Sequence, residues 1–532
     1  MDVIVIADSG SVSVSGTNKL KLMVDGHVAT IQAIENFLDN NGRVIDPVIG
    51  DGVSSWASSL KLNGIFLYSY LFKQGFDVAL INNYYDERDH FIQMLTQSPK
   101  AVVISTSFIL NKETLNQIAH DIKSLAPGIF IIAGGQFVHL SKRIKDRMLS
   151  EYPIMDIFSS NYLFLEEGDE PPVDLYIIST TGESILATAL KMLKAKGKVN
   201  ELPDTAIYQG KRYIFGKEMD TVEKKGGVTV DWANVPQSFF QSGVVPMQAS
   251  YGCPYDCAFC NFMKDRRLMG IKPLDNLISE LKTVEEKGAR YVWFVDDNFR
   301  LGKNDLKTVC RQFIDHGIKV KWKSFIRVSA LKDMDMRLLK EAGCIEVQFG
   351  LESADQTLLT KMNKKANPEL YAQVVKKVME AGINCSCYFV FGFPGETKDT
   401  IKRTSYFIKE LEHYSLDGYI YFTMFPFIIA PLSPISELKN AQCYGLKGSM
   451  YDWEHNTMNA KEAIEYALKS FFELKTSGII YHGDNLDMLL DLDSRHRKEF
   501  IAKRHKMAKM AATAPIHNED LIKSFKDVLR NH

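Results

Sequence analysis

Residues 250–262 read SYGCPYDCAFCNF and follow the strand-like run VVPMQA, so that Cys253, Cys257 and Cys260 stand in a CxxxCxxC spacing at a strand end. Three thiolates this close on one loop can hold three corners of a cubic iron–sulfur cluster, because soft sulfur donors select such clusters or zinc. No fourth Cys or His follows within the loop. One corner is then left open for chemistry, whereas a structural zinc site closes with four ligands. Zinc with a remote fourth ligand, or three unrelated core thiols, are the alternatives to a cluster.

Outward from this loop, β-branched runs alternate with amphipathic stretches. Downstream, the sequence predicts strands at 244–249, 291–295, 320–326, 345–349, 386–391 and 419–425, with helices at 274–287, 303–315, 334–342 and 368–381 between them. Six strand–helix units predict a partial (β/α)6 barrel over 244–434, with its active site at the strand C-termini. Upstream, strands at 3–7, 77–81, 101–105, 129–133 and 174–178 alternate with helices such as 60–73, 112–125 and 183–196. That order predicts an α/β, doubly wound (Rossmann-like) domain over 1–195, whose ligands bind beyond the carboxyl ends of the strands. Small residues collect there: Ser9, Ser105, Thr106, Ser107, Gly134, Gly135, Thr181 and Gly182. Residues 10–59 are too long for an ordinary connection and read as a lid or binding wall. Residues 196–243 read as a linker with hairpin-like pieces, and 435–532 as a helical C-terminal region with a basic segment at 495–509 whose simplest reading is a solvated helix face.

Composition sets the bounds. The 532 residues are 45% hydrophobic and 24% charged, with 64 Lys and Arg against 65 Asp and Glu. A net charge of −1 gives no field for gathering nucleic acid. The start MDVIVIADS lacks the basic and long apolar regions of an export signal, and prolines interrupt the longest uncharged stretch, 418–436, which argues against a membrane span. A cytoplasmic chain with reduced cysteines is expected. Cys385 and Cys387 alternate on one strand and Cys310, Cys344 and Cys443 are isolated, so core packing suits these five better than a second cluster.

With these motifs in place, the sequence resembles the radical S-adenosylmethionine (SAM) superfamily. The resemblance implies a [4Fe–4S] cluster on Cys253, Cys257 and Cys260, and SAM chelated at its open iron and cleaved to a 5′-deoxyadenosyl radical. It implies SAM contacts from Phe259, from Asp296, Asp297 and Asn298 of FVDDNF, from Arg327 to the methionine carboxylate, from Gly350, Glu352 and Ser353 of FGLES, and from Gly392 and Pro394 of FGFPGET. Capping of a turn by Asp297 or Asn298, and a surface salt bridge for Arg327, are the competing readings.

The N-terminal half resembles the cobalamin-binding module fused to one large radical SAM subfamily, on the strength of STSF at 105–108, AGGQFVH at 133–139 and STTGE at 179–183. This implies cobalamin contacts from Ser9, Ser105, Thr106, Ser107, Gly134, Gly135, Gln136, Thr181, Gly182 and Glu183. The DxHxxG signature of a cobalt-ligating His is absent, so no histidine is expected below cobalt, although His90 and His139 lie nearby in sequence. The implied function is a cobalamin-dependent methyltransferase acting on an unactivated carbon or phosphorus of a small-molecule or peptide substrate, with an electron donor such as flavodoxin or ferredoxin and no nucleic-acid or membrane partner. Cyclisation or rearrangement without methyl transfer, and a cofactor-binding sensor without turnover, are the alternatives. No catalytic side chain is singled out.

Overall fold

The computed structural model describes residues 1–9, 21–24, 27–30, 60–148, 161–165, 171–219, 229–261, 269–300, 305–414, 417–450, 452–475, 478–479 and isolated positions between 495 and 506. The chain divides into two compact units: 1–12 with 60–224 and 228–239, and 13–59 with 225–227 and 240–532. Of the expected lid at 10–59 only 21–24 and 27–30 are described, and of the basic segment at 495–509 about half the positions.

In the first unit the strands are β1 (Val3–Ile6), β2 (Val78–Ile81), β3 (Ala101–Ser105), β4 (Phe130–Gly134), β5 (Leu175–Ile177), β6 (Thr205–Gln209) and β7 (Arg212–Phe215), in the sheet order β2-β1-β3-β4-β5-β6-β7. The first five are parallel. Val3 to Ile6 are all fully buried, as a parallel strand covered on both faces requires. Helices Lys112–Leu125 and Glu183–Lys196 take the bounds their caps dictate: Asn111 accepts the Thr114 N–H at 2.8 Å, and Gly197 closes the second with φ 67°. The order reverses between β1 and β3, where a doubly wound sheet opens its ligand crevice.

The stretch 196–243 is more than a linker. Its hairpin β6–β7 turns at Gly210 and Lys211, both with positive φ as a type I′ turn needs, and pairs antiparallel to β5, extending the sheet.

In the second unit an open, parallel seven-stranded sheet runs β8 (Val244–Met247), β9 (Tyr291–Phe294), β10 (Lys321–Phe325), β11 (Cys344–Glu352), β12 (Asn384–Phe391), β13 (Ile420–Pro426) and β14 (Gly478–Ile479) in chain order. Six are the expected strands and the seventh is added late in the chain. Side chains alternate between the helix-covered face and the inner face. Trp322, on the covered face, is fully buried against Phe294, Phe299 and Phe313, and its indole N–H donates to the Ala342 carbonyl at 2.7 Å. Cys385 and Cys387 are also fully buried, in keeping with core packing.

The C-terminal region is not purely helical. Helix Ala460–Glu473 starts on a capping box between Asn459 and Glu462, but it is preceded by a three-stranded antiparallel meander, Lys447–Ser449, Asp452–His455 and Met458–Asn459. No described helix is long and apolar enough to cross a membrane.

Candidate functional site

The cysteine loop begins where β8 ends, and carboxylates from the end of β9 fix its backbone. Asp296, fully buried, accepts the N–H of Ala249 at 3.1 Å, the N–H of Ser250 and the Ser250 hydroxyl at 2.6 Å. Asp297 accepts the N–H of Gly252 at 3.1 Å, and Gly252 itself has φ 77°. Burial pushes the Asp296 carboxyl up to about 7 and Asp297 up to about 6, with the Gly252 N–H and then the nearby Arg300 charge restraining the second. Both carboxylates, expected SAM contacts, hold the backbone of the loop; the Asn298 carbonyl accepts the Ser250 hydroxyl at 3.3 Å.

Beyond Gly252 the loop is pinned from outside. The Ala258 N–H donates to Met362 O at 2.8 Å, Asn363 Nδ2 donates to Asp256 O at 2.7 Å, and the Ile435 N–H donates to Ala258 O at 2.9 Å. Cys257 is buried and Cys253 and Cys260 are half-buried, all as free thiols. Burial raises the Cys253 thiol, the Tyr255 N–H opposes this, the charges of Asp297 and Cys257 add to it, and Arg327 opposes it. A thiol so placed ionises readily only against bound metal. No three His, Cys, Asp or Glu side chains among the described residues are grouped to hold a single ion.

Arg327 is engaged elsewhere than expected: its guanidinium carbon lies 3.7 Å from the Tyr255 ring centroid and Nη2 donates to the Lys364 carbonyl. Stacking of this kind makes it a brace for the cysteine loop. Ser353 is fully buried and bonded within the protein, 3.2 Å from the Thr404 hydroxyl and accepting the Asp355 N–H at 3.0 Å. Glu352 holds φ 66° beside a bulge in β11 and pairs with Lys364 at 2.7 Å; such a backbone costs roughly 1–3 kcal/mol and tends to mark functional edges. A Cβ at Gly350 would meet the flexible ends of this pair, Glu352 Oε1 at 2.6 Å and Lys364 Nζ at 3.0 Å.

Phe259 stands edge-on to Phe393, with centroids 6.5 Å apart, and the aromatic series continues through Phe427 and Trp453 to His455. Gly392, at φ 90°, gives its N–H to Glu396 and its carbonyl faces His455 Nε2 at 3.1 Å; Pro394 is buried beside it. Sequence reasoning missed Arg300, two residues after Asn298, whose Nε and Nη2 are buried without a hydrogen-bond partner. Its signal was a cation directly after FVDDNF.

Residues 247–408 match the radical SAM superfamily. That segment is a radical SAM domain. A radical SAM domain implies a [4Fe–4S] cluster and SAM as its cofactors, and the free-thiol loop and unpaired Arg300 are compatible with both. An uncharacterized methyltransferase of Pyrococcus horikoshii is 25% identical over 317 residues, 58% of this chain and 64% of its own. An anaerobic magnesium-protoporphyrin IX monomethyl ester cyclase of Cereibacter sphaeroides is 24% identical over 260 residues, 46% of this chain and 42% of its own. The matched part is thus less than two thirds of either relative. Among solved structures, the radical SAM methyltransferase TsrM of Kitasatospora setae, with cobalamin and a [4Fe–4S] cluster bound, superposes with a TM-score of 0.58 at 14% identity, covering 97% of this chain and 100% of that one. This likeness is one of fold.

Ahead of the radical SAM domain, the first unit brings several of the expected small residues to one sheet edge. Asn63 Nδ2 donates to Ala7 O at 2.8 Å and to Ser105 Oγ at 2.7 Å, tying the ends of β1 and β3 together. Its Oδ1 is buried and unpaired, an acceptor suited to a donor such as a corrin amide. Thr106 is fully buried and its hydroxyl donates to Gly134 O at 3.1 Å; Ser107 and Gln136 are exposed. Gly135, with φ 123°, leaves a Cβ only 3.1 Å from the Thr106 backbone nitrogen, and a Cβ at Gly182 would lie 2.5 Å from Ile177, so both glycines serve close backbone packing. Ser9 is buried beside Asp8 at 3.4 Å, Thr181 bonds Ser179, and Glu183 opens its helix. His139 is held 3.1 Å from the Ile178 carbonyl and burial lowers its pKa, while His90 is exposed on helix Arg88–Leu95.

Proposed function

We propose that this chain is a cobalamin-dependent radical SAM methyltransferase acting on an unactivated carbon or phosphorus of a small-molecule or peptide substrate. The observation that carries the reading is the CxxxCxxC loop of free thiols, braced by Asp296 and Asp297 at the carboxyl end of an open parallel sheet, in a chain that also holds a doubly wound sheet. In this reading Cys253, Cys257 and Cys260 hold the cluster. Arg300 replaces Arg327 as receptor for the SAM carboxylate, because its buried Nε and Nη2 have no hydrogen-bond partner. Phe259, Gly392 and Pro394 line the adenine, and Glu352 with Lys364 borders the site. When bound, the cluster supplies the electron for SAM cleavage and cobalamin carries the transferable methyl group. The sheet edge at Ser9, Ser105–Ser107, Gly134–Gln136 and Thr181–Glu183 receives the corrin. A flavodoxin- or ferredoxin-like protein in the cytoplasm delivers electrons.

The methyltransferase relative and the TsrM fold support methyl transfer; the cyclase relative supports a second reading, ring closure without it. Anaerobic reconstitution with both cofactors, followed by comparative metabolite profiling of a deletion strain for the substrate, separates them. Formation of S-adenosylhomocysteine alongside 5′-deoxyadenosine is the expected result; 5′-deoxyadenosine alone favours the cyclase-like reading, and neither product favours a sensor.

A further inference from the structure

We propose that Asn363 is a positioning residue for Cys257, its side chain setting the direction of that thiol before any metal arrives. The inference rests on the cluster reading of the cysteine loop given above.

Helix Gln356–Lys361 ends on Met362, and the next residue, Asn363, is left-handed with φ 51°. The Asn363 N–H donates to Thr360 O and the Lys364 N–H to Leu359 O, each at 3.0 Å, the paired bonds of a Schellman stop. Glycine is the usual residue at this place, because a Cβ is disfavoured at positive φ. A helix stop alone therefore does not call for Asn. What the Asn side chain adds is a donor, and Nδ2 gives it to Asp256 O at 2.7 Å, 107 residues away in the chain.

Asp256 O belongs to the peptide unit that enters Cys257. The Ala258 N–H, which donates to Met362 O at 2.8 Å, belongs to the unit that leaves it. Peptide units are planar and meet at Cα through two soft dihedrals, so holding the unit on each side of Cys257 fixes its φ and ψ. The direction of its Cα–Cβ bond follows. The leaving unit is held a second time, as the Cys257 carbonyl accepts the Cys260 N–H at 3.1 Å. Two consecutive residues of one turn thus grip the two peptides around one cysteine, the one that is buried where Cys253 and Cys260 are half-buried. A ligand oriented in this way by groups outside the metal's own shell gives up little backbone freedom when it takes iron, which favours retention of the cluster.

The test separates the helix stop from the loop, using the full chain as wild type, Asn363→Gly and Asn363→Asp. Glycine at this position adopts the left-handed conformation freely and keeps both backbone bonds of the stop, but it has no donor for Asp256. The thermal unfolding midpoint of Asn363→Gly should equal or exceed that of wild type. Hydrogen exchange at the Ala258 amide of its metal-free chain should be at least tenfold faster, with the amides of helix Glu183–Lys196 unchanged. After anaerobic reconstitution, its release of iron to a chelator should quicken about tenfold. Asn363→Asp presents an acceptor in place of the donor and should free Ala258 equally. Wild-type exchange at Ala258 in folded Asn363→Gly overturns the proposal. So does faster exchange shared by the whole second unit, which makes the residue a general packing element, or a lowered midpoint with Ala258 still protected, which confines it to the helix stop. Unchanged iron release once Ala258 is freed overturns it as well, since the thiol would then not need the grip. Should Asn363→Gly not fold, Asn363→Asp decides by the same amide. Wild type that takes up no iron refutes the cluster reading instead, and exchange at Ala258 still reads the grip on Cys257.

Discussion

The Asp297 carboxylate accepts the Gly252 N–H at 3.1 Å, one residue before Cys253. A side chain that the motif FVDDNF offers to a ligand is thus part of the frame that shapes the cysteine loop. Asp297→Ala leaves that half-buried N–H unpaired, at a cost of about 1–3 kcal/mol. After anaerobic reconstitution its iron content should fall below half that of wild type, whereas Asp297→Asn, which keeps an acceptor oxygen, should stay close to wild type.

Reconstituted wild type should contain about four irons per chain, as the cluster type requires. Replacing Cys253, Cys257 and Cys260 together by Ala should abolish the visible absorption and all SAM cleavage. Iron retained with an unchanged spectrum would remove the cluster from this loop.

Arg300→Met should weaken SAM binding at least tenfold, measured anaerobically by isothermal titration on cluster-loaded protein. Binding of decarboxylated SAM should be nearly unaffected. Equal loss for both ligands would separate Arg300 from the carboxylate.

At the first unit's edge, Ser107 is exposed while Gly135 is crowded by Thr106. Ser107→Trp should block corrin uptake, read from absorption of the purified protein, with no change in iron content. Gly135→Ala should lower the unfolding midpoint, because its φ of 123° disfavours any side chain.

Glu396 is fully buried, with Oε1 unpaired, and burial pushes its carboxyl up to about 8 although the Gly392 N–H pulls the other way. A folded-state pKa raised above the unfolded value, about 4.3, means that its protonated form supports stability below pH 4.3 and that this support is lost as pH rises through 8. The urea midpoint of wild type should therefore decline relative to Glu396→Gln between pH 5 and 9. A pH-independent gap would show that the carboxyl is ionised throughout.

Much of the fold was legible because its signals are local. The run AVVIS matches β3, and the expected helices 112–125 and 183–196 end where the Asn111 cap and the Gly197 stop place them. The hairpin β6–β7 carried a readable turn at Gly210 and Lys211, but nothing local names β5 as its partner. The C-terminal meander escaped because strands of two to four residues are too short to display a period. At the site, the spacing of the cysteines is a local signal. The loop contacts of Asp296 and Arg327 are not, because their partners Ala249 and Lys364 lie 47 and 37 residues away in the chain.

The wall around Gly392 is completed by residues made much later. A Cβ there would meet Trp453 at 2.6 Å and Ala463 at 2.5 Å, and His455 lies against its carbonyl. Translation proceeds at about 5–20 residues per second, so several seconds separate synthesis of the FGFPG turn from arrival of its cover. The cysteine loop and its Asp296 and Asp297 braces are already synthesised by then. The cysteine loop is thus made before the aromatic side of the site can close, and a chain terminated at residue 434 would lack both that wall and the Ile435 N–H that pins Ala258.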